Sequence, residues 1–235
     1  MPWGTIRRMR SISRRRPALW VGLGLVLAGL GLIGYVGWQF FGTNIVSGTK
    51  QREAVEQLQD QWQDEAPGTT IGGTAGEPVA LGDAMALVRV PRFGDDYMMP
   101  VIEGVADDAL ARGFGHFEGT ARPGGRGNFA LAGHRVTHGE PLRDMPLLQP
   151  GDEVLVETRD AVFTYVLDTD PDDLTVTFRD VWVVAPRPVH PDPEGVTAPD
   201  HPRLITLTTC SELFHTDNRT VVFGHLVDVE RKLRS

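Results

Sequence analysis

The chain has 235 residues, 41% of them hydrophobic and 23% charged, with a formal net charge of −8. That balance suits one folded domain with an appendage, and its acidity argues against nucleic acid as a partner. A single cysteine excludes an internal disulfide and a Cys-rich zinc site, so the fold must stand on its core.

Residues 1–17 carry Arg7, Arg8, Arg10, Arg14, Arg15 and Arg16 and no acid. Residues 18–41 then run without a charge. At about 1.5 Å per residue they are long enough to cross a hydrocarbon layer of about 30 Å. Arginines ahead of the span predict a cytoplasmic N-terminus and an extracellular remainder at the cell membrane. The run is too long for a signal-peptide core and no convincing small-x-small cleavage site follows it, so a single-pass signal anchor is expected. Its Gly22, Gly24, Gly29, Gly31, Gly34 and Gly37 include spacings that can pair helices, although such glycines are more often merely tolerated in lipid. Without the six leading arginines the chain has 17 basic against 31 acidic residues, so the exterior part is strongly acidic.

Residues 49–66 predict a short helix with Val55, Leu58 and Trp62 on one stripe. Residues 67–76 are rich in Pro, Gly and Thr and predict a flexible connection. Together they form a stalk over 42–84, whose helix could stand free, pack on the domain or pack on a twin. From Met85 the pattern changes to short strands separated by Pro, Gly and Asp. Residues 86–91, 100–103, 127–134, 153–157, 161–167, 175–178 and 181–184 are strand candidates, with a turn or two of helix over 105–112. Such short, regularly spaced strands predict a mainly β barrel or sandwich over 85–235, and about 150 residues suffice to bury its core.

The stretch 203–210 reads as a buried strand that delivers Cys210 to its tip. A lone cysteine can pack as a small hydrophobe. It can also act as a nucleophile, given a positive environment and a proton partner. Arg219 opens a second strand over 220–229, and a turn through 214–218 would bring it to the cysteine's end of the pair. The apolar run from Asn128 ends at His134 and Arg135. Three strand ends could therefore converge.

Thr206-Leu207-Thr208-Thr209-Cys210 matches the T-L-x-T-C signature of sortases, the cysteine transpeptidases that attach surface proteins to bacterial envelopes. Gly115 to Thr120, Gly127 to Arg135 and the arginine soon after the cysteine extend the resemblance, which covers residues from about 85 to the end. The segment Ala132-Gly133-His134-Arg135 and the compact size make the chain most similar to class E sortases of high-GC Gram-positive bacteria. That resemblance implies an eight-stranded sortase β-barrel and a catalytic trio of Cys210, His134 and Arg219. Cys210 would attack a peptide carbonyl to give a thioacyl enzyme. His134 would give the departing amine its proton, and Arg219 would hold the oxyanion or the substrate backbone.

The resemblance further implies substrate contacts from Thr209 and Thr208, and from His138 and His116 near the site. Class E members are expected to carry a tyrosine where His138 stands, and that position bears on whether L-A-x-T-G or L-P-x-T-G is cleaved between Thr and Gly. Both motifs stay open. Implied partners are surface proteins with C-terminal sorting signals, and lipid II or a pilin amine as acceptor. No cofactor is required. Asp107, Asp108, Asp170, Asp172 and Asp173 could bind calcium, though exposed loop acids are the ordinary reading. His190, His201, His215 and His225 lack tight metal-ligand spacing. Two other readings remain: a non-catalytic, anchored peptide-binding module with a sortase-like barrel, and an L,D-transpeptidase, whose S-H-G pattern near the cysteine this chain lacks.

Overall fold

The computed structural model describes residues 15–38, 42–64, 79–210 and 217–232, and the chain falls into two units, 1–40 and 41–235. In the first, α1 (Arg15–Gly37) carries a 19-residue apolar stretch, Leu19–Gly37, with mean hydropathy 2.1. None of that stretch is buried in protein. Its length of about 28 Å at 1.5 Å per residue makes it a candidate membrane span. The arginine-rich residues 1–14, the span's last predicted residues 39–41 and the breaker-rich 67–76 lie outside the described residues.

The second unit opens with α2 (Thr43–Asp64), which starts six residues before the predicted helix. Ser47, Gln51, Ala54 and Leu58 are its buried positions, at the spacing of one helical face. Leu58 of the predicted stripe is buried and Val55 and Trp62 on the same side are half-buried, but the first two turns of that face carry polar Ser47 and Gln51 in place of apolar side chains. The difference has a physical reason. Part of what α2 covers is the polar backbone of a turn at residues 138–140, which small and amide side chains can meet and large apolar ones cannot. The helix also packs along the first two strands.

Those strands begin a barrel. β1 (Ala84–Arg89), β2 (Met99–Glu103), β3 (Phe114–His116), β4 (Gly127–Ala132), β5 (Glu153–Glu157) and β6 (Ala161–Leu167) are followed by a short β7 (Thr175–Thr177), then β8 (Arg203–Cys210) and β9 (Asn218–Arg231). The order β6-β5-β1-β2-β3-β4-β8-β9, closed by a β6–β9 pairing, makes an eight-stranded barrel, with β7 added beside the start of β9. Closure removes the free edges that would otherwise invite another chain. The β2–β3 and β4–β8 pairs are parallel.

Gly224 stands where β9 changes neighbours, paired with Ile205 of β8 and with Leu167 of β6. A Cβ there would lie 2.5 Å from the Val166 carbonyl oxygen, so only glycine lets the strands close.

The barrel interior is filled by Phe114, Phe129, Leu131, Leu142, Tyr165, Ile205, Leu207 and Val222. A second, smaller cluster of Leu174, Val176, Val183, Leu204, Val221 and Phe223 lies beneath the long connection between β6 and β8. Alternate residues of β8 therefore face two different cores, which explains why 204–207 reads as a nearly unbroken buried run.

Two local readings need correction. Residues 181–184 form a 3₁₀ turn, not a strand; a four-residue apolar run has no periodicity with which to tell the two apart. β3 was not among the strand candidates because Phe114-Gly115-His116 carries no run of β-favouring side chains. The helical turn expected over 105–112 is α3 (Asp107–Leu110).

Candidate active site

Parallel pairing of β4 with β8 sets Ala132 beside Thr208. Just beyond, the Gly133 N–H donates to the Thr208 carbonyl at 3.0 Å, and Thr209 Oγ1 donates to the Gly133 carbonyl at 2.7 Å. These two bonds tie the chain immediately before His134 to the end of the cysteine strand. On the other side of β8, the antiparallel register with β9 sets Arg219 across from Cys210. The Arg219 guanidinium also donates to the Asn218 carbonyl at 2.9 Å. Residue 134, remote in sequence from 210 and 219, thus follows the end of a strand adjacent to theirs.

A pocket of about 520 Å³ opens there, lined by His134, Thr208, Thr209 and Arg219 together with His138 and Asp180. Its size falls in the range of about 300 to 1,000 Å³ usual for ligand sites. Val105, Asp107 and Leu110 form one wall; Val176, Phe178, Val181 and Val183 form another. Phe178 and Val181 are 55% and 72% exposed, giving the rim an apolar face of the kind that takes up side chains of a peptide.

Charge in the pocket is mixed. The Asp180 carboxylate accepts bonds from both the hydroxyl and the backbone N–H of Thr177, each at 2.7 Å. Those donors, the hydroxyl foremost, hold its pKa below the usual aspartate value, so it stays ionised at neutral pH. The guanidinium of Arg219 is permanently charged.

The His138 ring stacks on the His134 ring, with centroids 4.8 Å apart and planes 30° apart. Its backbone has φ of 57°, in the left-handed region that non-glycine residues seldom occupy.

Thr208 and Thr209 are buried beside the pocket, and the Thr209 hydroxyl proton is committed to Gly133. His116 is the one expected contact that the fold does not bring to this pocket. It is 2% exposed inside the barrel wall, its Nδ1 2.7 Å from Glu103 and its Nε2 3.0 Å from the Ala121 carbonyl. With both nitrogens engaged and Phe129 against its ring, His116 is a packed, hydrogen-bonded residue. His225 pairs with Asp168 at 2.8 Å. The Asp170 and Asp173 carboxylates accept backbone N–H bonds within their own loop. Among the described residues no three His, Cys, Asp or Glu side chains are grouped to hold a metal ion. His215 and most of the expected turn before Arg219 lie outside the described residues.

Asn128 was not singled out for a role by the sequence, yet it holds a wall of the site. Fully buried, it donates to the Val183 and Ala185 carbonyls, each at 3.1 Å, and accepts from Thr206 Oγ1 at 2.9 Å. An amide within an apolar strand is the available signal, because a buried polar group needs partners. The first residue of the T-L-x-T-C stretch thus supports the pocket wall from beneath.

The family profile described as the sortase domain matches residues 88–227, well over half of the chain. The chain belongs to the sortase family. The sortase is 34% identical over 241 residues to sortase SrtE1 of Streptomyces coelicolor, an alignment covering 97% of the sortase and 64% of that relative. It therefore spans just under two thirds of the relative's length. Among solved structures, sortase E from Streptomyces avermitilis is 38% identical with a TM-score of 0.55, over 65% of the sortase and 93% of that chain. Sortase E1 from Streptomyces coelicolor, solved with a tripeptide in its active site, is 34% identical with a TM-score of 0.54, over 65% and 94%. These similarities make the protein a class E-like sortase. Members of the family are in general cysteine transpeptidases that act on peptides bearing sorting signals.

Proposed function

We propose that this sortase is an active, membrane-anchored transpeptidase that cleaves an L-P-x-T-G or L-A-x-T-G sorting signal between Thr and Gly and passes the acyl part to a lipid II or pilin amine. The observation that carries the reading is the meeting of the His134, Cys210 and Arg219 strand ends at one peptide-sized pocket.

In this mechanism the Cys210 sulfur, its proton transferred to His134, attacks the Thr carbonyl carbon, and a C–S bond forms as the carbonyl π electrons move to oxygen. Arg219 offers fixed N–H donors to that oxyanion. When the C–N bond breaks, the Gly nitrogen takes a proton from His134, leaving a thioester. The acceptor amine then attacks the thioester carbon and gives its proton to neutral His134. The C–S bond breaks, and the product carries a new amide. Water in place of the amine yields the free acid. Thr208 and Thr209 flank the bound peptide, and His138 faces it from the loop after His134.

The anchor is residues 18–41, with residues 1–17 inside the cell, 42–84 leading outward and the catalytic domain 85–235 outside. An acidic exterior and an arginine-rich leader support that orientation.

The test is full-length protein in a bilayer disc, given labelled L-P-x-T-G and L-A-x-T-G peptides with an amine. Cleavage, transfer to the amine, and their loss in Cys210→Ala are expected. If neither peptide is cut and the thiol is inert to alkylating sulfonates, the chain is a binding module on a sortase barrel.

A further inference from the structure

We propose that α2 is part of the catalytic apparatus, with Asn44 and Gln51 as positioning residues that set His134 through the turn at 138–140. The inference rests on the role given above to His134.

The turn is conformationally demanding. His138, Gly139 and Glu140 have φ of 57°, 79° and 49°, three consecutive residues in the left-handed region, two of them not glycine. Such a backbone persists only where its surroundings over-determine it. Two side chains of α2 do so. Asn44 accepts the Gly139 N–H at 3.0 Å and donates through its amide to the Glu140 carboxylate. Gln51 donates to the His138 carbonyl at 3.2 Å. The fit is close, since a Cβ on Gly139 would come within 2.1 Å of the Gln51 amide nitrogen.

The opposite side of the loop is fixed by the barrel. The Tyr97 hydroxyl donates to the Pro141 carbonyl at 2.5 Å, and the Leu142 N–H donates to the His134 carbonyl at 3.0 Å. Between the two supports, the His138 ring lies against the His134 ring. A path of direct contacts therefore runs from the Gln51 amide, through the His138 backbone and ring, to the imidazole that must reach the leaving nitrogen. Ser47, Gln51, Ala54 and Leu58 bury one helical face against the domain, so α2 is seated there by more than these bonds.

The experiment uses full-length protein in bilayer discs and compares Gln51→Glu, Asn44→Ala and their combination with wild type. Gln51→Glu keeps the shape and replaces the donor by a charge that repels the His138 carbonyl. Glu53→Ala, on the exposed face of α2, is the control. The double variant should lose about tenfold in kcat with KM within about twofold, because a misplaced proton donor weakens the transition state more than peptide binding. Its pH–rate profile should move, and amide exchange over 134–142 should rise while exchange in β4 and β8 stays slow. A helix that only adds stability would speed exchange throughout the barrel and leave the pH profile in place. Wild-type kinetics and unchanged loop exchange in the double variant would overturn the proposal. If wild type itself cuts no peptide, the functional reading fails separately and loop exchange still decides: faster exchange in the variants supports the clasp, and unchanged exchange removes it.

Discussion

Arg219 stands across the β8–β9 ladder from Cys210, the terminal pair of that register. Directly opposed residues in an antiparallel pair are about 5 Å apart at Cα, so the cation is placed by strand pairing rather than by a loop. Arg219→Ala should lower peptide cleavage by about 10² to 10³-fold, the usual cost of losing an oxyanion donor. Arg219→Lys should recover little, because an ammonium lacks the planar fork of donors. Alkylation of Cys210 should continue in both variants, which separates loss of catalysis from loss of the thiol. Parallel measurements of kcat/KM and alkylation rate check this.

His138 and its stacked contact with His134 lead to a prediction about motif choice. Replacing His138 by Tyr, the residue expected there in class E members, should change the ratio of kcat/KM for L-A-x-T-G over L-P-x-T-G by at least about tenfold, a difference of about 1.4 kcal/mol in transition-state binding. Competition between the two peptides in one reaction reads that ratio directly. An unchanged ratio would remove this position from substrate selection.

Asn128→Ala should cost more stability than a surface change. The substitution leaves the Ala185 carbonyl without this partner and takes one of two donors from the Val183 carbonyl, which keeps the Thr206 hydroxyl at 3.2 Å. Each such group costs about 1 to 3 kcal/mol, and partial relaxation makes a net loss of about 2 to 4 kcal/mol reasonable. For a domain of this size that lowers Tm by roughly 5 to 12 °C. Because the wall 181–184 is then held only by the Thr206 hydroxyl on the Val183 carbonyl, KM for peptide should rise as well. Calorimetry and steady-state kinetics on one preparation measure both.

Alkaline pH should destabilise the domain. Burial pushes the Tyr165 hydroxyl up to about 12, against the smaller opposing effects of the Gly124 N–H and Arg203. The Tyr97 hydroxyl is held well above its ordinary value by burial, with Asp144 second. In both cases the folded pKa exceeds the unfolded one, so the neutral form favours the fold. The stabilisation is complete below about pH 10 and is lost as pH rises through the folded value. For Tyr165 the loss is on the order of 2 to 3 kcal/mol by pH 12. Denaturant midpoints between pH 8 and 12 should fall steeply above 10, and Tyr165→Phe should flatten that slope.

The barrel was legible because its strands carry the right signals: β5, β6 and β8 match their predicted spans residue for residue. β3 and the 3₁₀ turn at 181–184 were not, since three residues with a central glycine and four uniform apolar residues have no usable period. The pocket residues His134 and Arg219 were readable as strand ends beside the signature cysteine. Asn128, Asn44 and Gln51 were not, because their roles depend on which backbone carbonyls and N–H groups the fold brings opposite them. His116 misled for a related reason. It sits in a segment that runs toward the site, but the register of β3 with β4 turns it onto Glu103 and Phe129 inside the wall.

The ends of β4, β8 and β9 are neighbours in one sheet, so the intervals separating residues 134, 210 and 219 derive from a lattice constant of about 4.8 Å. No long excursion of the chain has to be cut to length to preserve them. The exposed rim side chains Phe178 and Val181 can accordingly change in composition at small expense to the reacting geometry, whereas Val176, paired with Arg219, and Val183, packed in the second core, cannot. Diversity in what is admitted and constancy in what is done to it belong to different parts of this molecule.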